Sequence, residues 1–358
     1  CLFDYYINKD KDEINKNENE FLNIAMQITN FTKQDRYSPY ERTVFKVIEY
    51  LKNKSSFPAN NIDEWLNKLN PVLLTNEVYK FVDKDGENRE KASPKEKWYS
   101  LKSKVLVKQM KYKECIDVGN TALMEIDNFH YDDDMWIKTR IAWSKGRLGL
   151  KQEAISELKS LLMIKDNWVI QYDISKLYNE INNLEEALSY AFDAALNCND
   201  FKLQLPLFYD LAIILKDKNK IDMAKKHILL CVKIRNENNW SISKELLDQV
   251  NFFGLNENND SAQLIYKELK KYWIKEKKAS MPSVTGKVQK VLSNGKSGFI
   301  MGDDNKKYYF KTKSFIGNRG DLIIGLNVIF NVKKSFDIKK GIESDNAVFV
   351  EKMKSVDK

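Results

Sequence analysis

Hydrophobic and polar positions follow two different periods along this chain. Up to about residue 280, apolar side chains recur at helical spacing, as Val44, Ile48 and Leu51 do. Beyond that point, short apolar or alternating runs are separated by Gly, Asn, Asp and Ser, which is typical of strands. Five such runs within about 65 residues predict a small barrel. The runs are Gly286–Val291, Lys296–Ile300, Tyr308–Lys311, Asn327–Val332 and Asn346–Val350.

The expected fold class is therefore multidomain α + β, with a helical body followed by a small five-stranded barrel. Two serines mark helix starts in the body. Ser38 and Ser93 each precede a proline and are followed three residues later by Glu41 and Glu96, the signature of a capping box. The stretch from Asp83 to Gly86 predicts a turn. The charged, Asn-rich stretch Asn8–Glu20 is expected to be mobile, and the rest of the chain upstream of the barrel is expected to be helical. The turn resembles part of an EF-hand loop, but the later acidic ligands are absent, which argues against calcium.

A small residue recurs in the second helix of each predicted helix pair. The intervals between these marker residues are 39, 33, 37 and 38 positions. An apolar or small residue follows each marker at a fixed offset, as Ala194 follows Ala187. The markers are Cys115, Ala154, Ala187, Ala224 and Ala262.

Over about residues 94–278 this pattern resembles a tetratricopeptide-repeat array, whose period is about 34 residues. The resemblance implies stacked helix pairs that form a solenoid with a concave face, and such faces commonly bind peptides or protein segments. Aromatic and basic side chains of the middle repeats are candidates for exposed contacts, with burial in the core as the alternative. They are Trp136, Arg140, Trp143, Lys145, Arg147 and Trp168.

Three different short motifs follow one another along the barrel region. Gly286 and Val288 open the first, Gly298-Phe299-Ile300 is the second, and Tyr308-Tyr309-Phe310-Lys311 is the third. In order and spacing they resemble a cold-shock domain, an OB-fold barrel that binds single-stranded nucleic acid. The resemblance implies that this barrel has the same fold and an equivalent binding face.

The chain departs from the cold-shock pattern at several positions that are aromatic or histidine in the family. The stacking positions that remain aromatic are Phe299 and Tyr309. The replaced positions are Lys290, Val291, Ser297, Lys311 and Thr312.

Phe299 and Tyr309 are predicted to lie on one face of neighbouring strands, because alternate residues of a strand share a face. Two aromatic side chains can stack two bases, each worth about 1–3 kcal/mol, and nearby lysines can neutralise phosphates. The alternative is that both rings simply cover the barrel or contact the helical body. The predicted nucleic-acid-binding residues are Lys287, Lys290, Lys296, Phe299, Lys307, Tyr309, Lys311 and Lys313.

The excess positive charge is concentrated in the barrel region. The whole chain has 59 basic and 51 acidic side chains, a net charge of +8. Residues 284–358 contain 15 basic and 8 acidic side chains, whereas the remaining residues contain 44 and 43. Such asymmetry is typical of an electrostatic nucleic-acid footprint. The solubility of a lysine-rich chain is the alternative interpretation.

Composition and motifs argue against a membrane protein and an enzyme. No apolar run approaches the roughly 18 residues that a membrane span needs. The four cysteines form no CxxC pair, which predicts free thiols in a reducing cytoplasm. The chain begins at Cys1 rather than methionine, so the numbering is expected to start inside a longer chain.

Two histidines, His130 and His227, offer little catalytic chemistry. His130 precedes the acidic run Asp132–Asp134, which is better explained as favourable charge at a helix N-terminus than as a metal site. No phosphate-binding loop, hydrolase or zinc-protease motif occurs. We therefore expect no catalytic residue, no cofactor and no metal.

The sequence predicts a non-enzymatic cytoplasmic adaptor. Its barrel holds single-stranded nucleic acid, RNA rather than DNA, and its repeats bind a protein partner, with no membrane involved. The alternative is a protein-interaction scaffold whose barrel does not bind nucleic acid, because the aromatic platform is reduced. Such combinations resemble components of bacterial regulatory or anti-phage systems, and the richness in Lys, Asn and Ile suggests an AT-rich bacterial coding sequence. The predicted segments are helical region 1–93, repeats 94–278, linker 279–283, barrel 284–351 and basic tail 352–358.

Overall fold

The computed structural model describes residues 2–35, 38–198, 200–255, 260–337 and 342–353. Two compact units make up the chain, Cys1–Leu158 and Lys159–Lys358. Cys1 and most of the predicted basic tail lie outside the described residues. The segment limits at 93, 278, 283 and 351 stay predictions.

The first unit consists mainly of helices. Ser38 and Ser93 cap two of them, since each hydroxyl accepts a hydrogen bond from the backbone N–H three residues later, which is the serine half of the predicted capping boxes. Apolar side chains from several helices, including Val44, Leu66 and Ile137, form one buried cluster. The helices are α1 Leu2–Ile7, α2 Lys11–Lys16, α3 Glu18–Phe31, α4 Pro39–Lys52, α5 Ala59–Leu66, α6 Pro94–Lys108, α7 Tyr112–Glu125, α8 Asp133–Arg147 and α9 Lys151–Ile164, which contains the boundary between the units.

A β-hairpin interrupts these helices, so the prediction that the chain on both sides of this turn is helical is wrong. The stretch Asn8–Glu20, which was predicted to be mobile, contains α2 and the start of α3. Strand β1 (Tyr79–Val82) pairs antiparallel with β2 (Asn88–Lys91). The turn was predicted, and its chemistry explains the hairpin: the Asp83 carboxylate accepts from the N–H groups of Asp85 and Glu87. Gly86 has φ +80°, which favours glycine. The Asp83 side chain therefore holds the turn, and its other oxygen forms an ion pair with Arg89 at 2.8 Å.

The second unit contains further helix pairs. The five marker residues of the repeat, two in the first unit and three in the second, are all buried. Each lies in the second helix of a pair, which is the close-packed position that the repeat requires. Helix α15 packs against α11 and α13. The helices are α10 Trp168–Glu180, α11 Leu184–Leu196, α12 Leu205–Asp217, α13 Ile221–Glu237, α14 Lys244–Phe253 and α15 Ala262–Ala279.

The same unit ends in a closed five-stranded barrel with strand order β3-β4-β5-β7-β6. Strands β5 and β7 pair in parallel, and the other pairs are antiparallel. Val288, Ile300, Phe310, Phe330 and Val350 fill its interior. The predicted fold class, helical repeats followed by a small five-stranded barrel, is confirmed. The strands are β3 Ser283–Val291, β4 Ser297–Gly302, β5 Lys307–Lys311, β6 Asn327–Asp337 and β7 Ile342–Lys352.

Polar contacts join the barrel to the C-terminal end of α15 and the residues that follow it. The Asn331 amide on β6 donates to the carbonyl oxygens of Lys278 and Met281, at 3.1 and 3.2 Å. Lys278 also forms an ion pair with Glu351 of β7, at 2.6 Å. These contacts define the side of the barrel that faces the helices.

Candidate nucleic-acid interface

Strands β3, β4 and β5 bring a lysine and two aromatic rings into one cross-strand row. Phe299 of β4 lies opposite Tyr309 of β5, and their ring centroids are 5.8 Å apart at an interplanar angle of 67°. On its other side Phe299 lies opposite Lys290 of β3. A register shift between Val288 and Lys290 leaves Gln289 as an extra residue and sets this pairing.

The alternation of the strands explains why both rings point out of the barrel. Gly298, Ile300, Tyr308 and Phe310 are buried in the interior, whereas Phe299 and Tyr309 are only partly buried. A Cβ at Gly298 would lie 2.3 Å from the Lys290 carbonyl oxygen and 2.7 Å from the Phe310 ring. Glycine at this position therefore lets β3 and β4 approach each other beside the exposed ring.

Six exposed lysines surround the two rings. The Lys307 ammonium lies 4.5 Å from the centroid of the Phe299 ring, a cation–π distance. Across the residues that the structure describes, no carboxylate forms an ion pair with any of the six. We call these lysines, together with Phe299 and Tyr309, the aromatic–lysine face. The lysines are Lys287, Lys290, Lys296, Lys307, Lys311 and Lys313.

The structure thus brings all eight predicted residues to one part of the barrel, at different distances from the rings. Met301 of β4 lies opposite Lys287 of β3 on one side and opposite Lys307 of β5 on the other. Lys311 lies opposite Ser297. Lys296 and Lys313 belong to the turns at that same end, where the Lys296 carbonyl accepts from the Thr312 N–H at 2.9 Å. The face is a strip with the rings near its centre and lysines toward both ends.

The nearest carboxylates of these strands are engaged by hydroxyl groups. Asp303 accepts from the Thr285 hydroxyl and Asp304 from the Tyr308 phenol, both at 2.5 Å. The hydrogen bond from Tyr308 holds the pKa of Asp304 below its ordinary value. Both carboxylates lie in the turn after β4, beyond the end of the strip, so the centre of the face stays positive.

His130 has carboxylate partners that the sequence did not reveal. Its Nδ1 lies 2.7 Å from a buried Glu96 oxygen and its Nε2 lies 3.5 Å from Glu90. Burial lowers the pKa of His130, but the contacts with Glu96 and Glu90 outweigh it and raise the pKa above the ordinary value. Asp133 accepts from the Ser100 hydroxyl at 2.7 Å.

These contacts explain His130 and the acidic run as structural pairs. Asp133 and Asp134 lie in the first turn of α8, where negative charge is favourable. Within the described ranges, no group of three His, Cys, Asp or Glu side chains has the arrangement of a metal site.

The predicted contact residues of the repeats differ in exposure. Trp136, Trp143 and Trp168 are partly buried, and Arg147 is exposed. Arg140 is used internally, because its guanidinium donates to the Ser100 carbonyl and the Ser103 hydroxyl at 3.1 Å each. Lys145, the last of the predicted contact residues, forms ion pairs with Glu153 and Glu157.

No protein-family model and no curated protein matches this chain. The solved structures that resemble this chain at low identity include the following two. One is Bacillus thuringiensis PlcR in complex with the peptide PapR7 and DNA, which is 17% identical over 51% of this chain and 72% of that chain, with a TM-score of 0.39. The other is MamA AMB-1, which is 14% identical over 57% of this chain and 93% of that chain, with a TM-score of 0.31.

Both likenesses are too distant to assign a function. None of the helices in the described ranges has the length and apolar character that crossing a bilayer requires.

Proposed function

We propose that this chain is a non-enzymatic adaptor that binds single-stranded nucleic acid through the aromatic–lysine face of a cold-shock-like barrel. The helical repeats bind a protein partner. The observation that carries the proposal is the row Lys290, Phe299 and Tyr309, surrounded by lysines that no carboxylate of the described residues neutralises. The barrel is expected to bind single-stranded RNA more tightly than single-stranded DNA, which serves as the comparison ligand.

The geometry fits a single strand because it offers ring faces to bases and ammonium groups to phosphates. Base stacking tolerates every sequence, since each base has a π-face. Two adjacent rings, 5.8 Å between centroids, offer platforms for neighbouring bases. The Lys307 ammonium lies over the Phe299 ring. When a base stacks on this ring and displaces the ammonium, Lys307 becomes available to bind a phosphate. Little sequence preference is therefore expected.

The test is the binding of fluorescent single-stranded RNA and DNA to the full chain, followed by anisotropy from about 50 to about 300 mM salt. A negative log–log slope is expected, of about 0.7 for each phosphate contacted. The double change Phe299→Ala and Tyr309→Ala is expected to weaken binding by about 2–4 kcal/mol. The matched control is Tyr79→Ala with Phe81→Ala, which removes another adjacent aromatic pair, on hairpin β1–β2.

Each outcome distinguishes between the two functions. If the change at Phe299 and Tyr309 has no more effect than the control, stacking on this face is wrong. If the full chain binds neither RNA nor DNA at the lowest salt, the proposed function is wrong. Co-purification with a stoichiometric protein and without nucleic acid then supports the alternative, a protein-interaction scaffold.

A further inference from the structure

The loop between β5 and β6 exposes two adjacent isoleucines. Four of the five residues from Leu322 to Leu326 are apolar. Leu322 and Leu326 pack against the barrel interior, whereas Ile323 and Ile324 remain 61% and 68% exposed. Leu322 and Leu326 therefore anchor the loop to the barrel, and Ile323 and Ile324 between them are exposed to solvent.

Hydrogen bonds hold this loop in one shape. The Asn318 side chain accepts from the Gly320 N–H at 3.0 Å, and its carbonyl accepts from the Asp321 N–H at 2.9 Å. The Ile323 N–H donates to the Asp321 carbonyl at 3.0 Å. Gly325 has φ +87°, a conformation that a side chain would disfavour. The exposure of the isoleucines is thus built into the fold.

The loop borders the aromatic–lysine face. The Gly325 N–H donates to the Val288 carbonyl at 2.8 Å, and the Val288 N–H donates to the Leu326 carbonyl at 3.0 Å. These bonds place the loop along β3, two residues before Lys290, while β4 occupies the other side of that strand. Across the surface the order of the backbone segments is therefore β5, β4, β3 and then the loop that carries the isoleucine pair.

We propose that Ile323 and Ile324 form an apolar lip that packs against a base of the bound strand, beyond the bases on Phe299 and Tyr309. This inference rests on the proposed function and extends its binding face by one element. Isoleucine side chains are used against bases in other nucleic-acid complexes, where they contact the base faces without reading their edges. The lip therefore adds affinity without adding sequence preference.

Charge favours a nucleic acid over a protein as the occupant of the lip. The neighbouring half of β3 carries Lys290, with Lys287 one residue before Val288, and no carboxylate of the described residues pairs with either lysine. A strand whose phosphates contact these lysines brings its bases to the adjoining apolar side chains. The acidic residue of the loop is Asp321, which precedes Ile323 and Ile324 in the sequence.

The lip and the lysines are expected to contribute differently to the salt dependence of the binding affinity. Neutralising a phosphate releases counterions and steepens the salt dependence, whereas an apolar contact releases none. The double change Ile323→Ser and Ile324→Ser in the full chain is therefore expected to weaken single-stranded RNA binding about tenfold. The slope of log affinity against log salt should stay the same. Lys290→Ala should instead make that slope shallower.

The matched control is Ile329→Ser. Ile329 is 37% exposed and lies on β6 between Thr285 and Glu351, on the side of the barrel that carries the ion pair to α15. It is expected to leave binding unchanged. Unfolding curves for each variant establish that it folds. As a second measurement on the unchanged protein, a photoreactive uridine in the RNA should crosslink to the loop 318–326.

The outcomes separate the lip from the proposed function. Salt-dependent binding by the unchanged protein, with no loss in the isoleucine variant and no crosslink to the loop, overturns the lip alone. The absence of binding by the unchanged protein overturns both. If the isoleucine change instead abolishes self-association in sedimentation and leaves RNA affinity intact, the lip is a protein contact and the proposal is wrong.

Discussion

Trp273 donates its indole N–H to Nε2 of His227 at 3.0 Å, and both side chains are completely buried. The other ring nitrogen of His227, Nδ1, lies 2.7 Å from the Met223 carbonyl oxygen. Because Nε2 must accept and Nδ1 must donate, this site requires the neutral tautomer with the proton on Nδ1. A second proton on the ring would face the indole N–H.

Acid should therefore destabilise the second unit through His227. Burial lowers the pKa of His227 to about 4, whereas in the unfolded chain it is about 6.5. Between these values the unfolded state binds a proton that the folded state does not. Stability is expected to fall as the pH falls from about 6.5 to about 4, by roughly 3 kcal/mol. Urea unfolding at several pH values across this window measures the loss.

His227→Gln is the control for this pH dependence. A glutamine has both a donor and an acceptor for Met223 and Trp273, but it does not titrate. The variant is expected to lose less stability than the unchanged protein between about pH 6.5 and about pH 4. Equal losses would show that His227 does not cause the acid sensitivity.

A buried ion pair in the first unit should be sensitive to the removal of one partner. The Lys102 ammonium lies 2.5 Å from Asp63 and 2.7 Å from the Asn67 side-chain oxygen. Lys102→Met leaves the buried Asp63 carboxylate without its main partner, which typically costs about 3–5 kcal/mol. Lys111 remains 3.9 Å from Asp63, so the expected loss is at the lower end, about 3 kcal/mol.

Denaturant unfolding of two comparison variants tests this explanation. Lys111→Met removes the longer and more exposed contact and should cost less than about 1 kcal/mol. Adding Asp63→Leu to Lys102→Met removes the unpaired charge and should recover part of the stability. A double variant that is no more stable than Lys102→Met would contradict the ion-pair argument.

Periodicity predicted most of the elements because local sequence controls them. Serine followed by proline and glutamate places a hydroxyl and a fixed φ at a helix start, which is why α4 and α6 begin as expected. Four of the five barrel runs lie within the observed strands for the same reason, and the fifth, Lys296–Ile300, begins one residue before β4. Strands β6 and β7 are longer than their apolar runs because Lys334 pairs with Asp345 and Ser335 with Ser344, where backbone bonding needs no apolar side chain.

The remaining features depend on contacts between distant residues. Alternation alone predicted that Phe299 and Tyr309 share a face, but the register shift that sets Lys290 opposite Phe299 is a property of the β3–β4 pairing. The isoleucine lip appears only once the loop bonds to Val288. Likewise, hairpin β1–β2 is short and largely exposed, so its apolar pattern is too weak to distinguish it from a loop.

Asp193 joins the helices to the barrel, and its loss should be costly. It lies 3.2 Å from Lys277 of α15 and 3.3 Å from Lys333 of β6. Burial lowers the pKa of Lys277, whereas the neighbouring Asp193 carboxylate raises it. Asp193→Asn leaves Lys277 buried without its counter-charge and should cost about 3–5 kcal/mol. Unfolding measurements should show a smaller loss, below about 1 kcal/mol, for Lys333→Met, because Lys333 is more exposed.

The two cations therefore provide an internal comparison. Adding Lys277→Met to Asp193→Asn removes the uncompensated ammonium and should restore part of the stability. Similar losses for Asp193→Asn and Lys333→Met would mean that the buried cation is not the cause.

Gly298→Ala should destabilise the barrel, because the added Cβ would meet the Lys290 carbonyl oxygen at 2.3 Å and the Phe310 ring at 2.7 Å. The carbonyl belongs to the facing strand and cannot rotate away, so β3 and β4 must separate. Overpacking of this kind typically costs about 1–3 kcal/mol. Gly320→Ala is the matched control, since its Cβ meets nothing closer than 3.5 Å. Thermal unfolding should distinguish the two variants. Equal stability of Gly298→Ala and Gly320→Ala would show that β3 and β4 are not closely packed at this point.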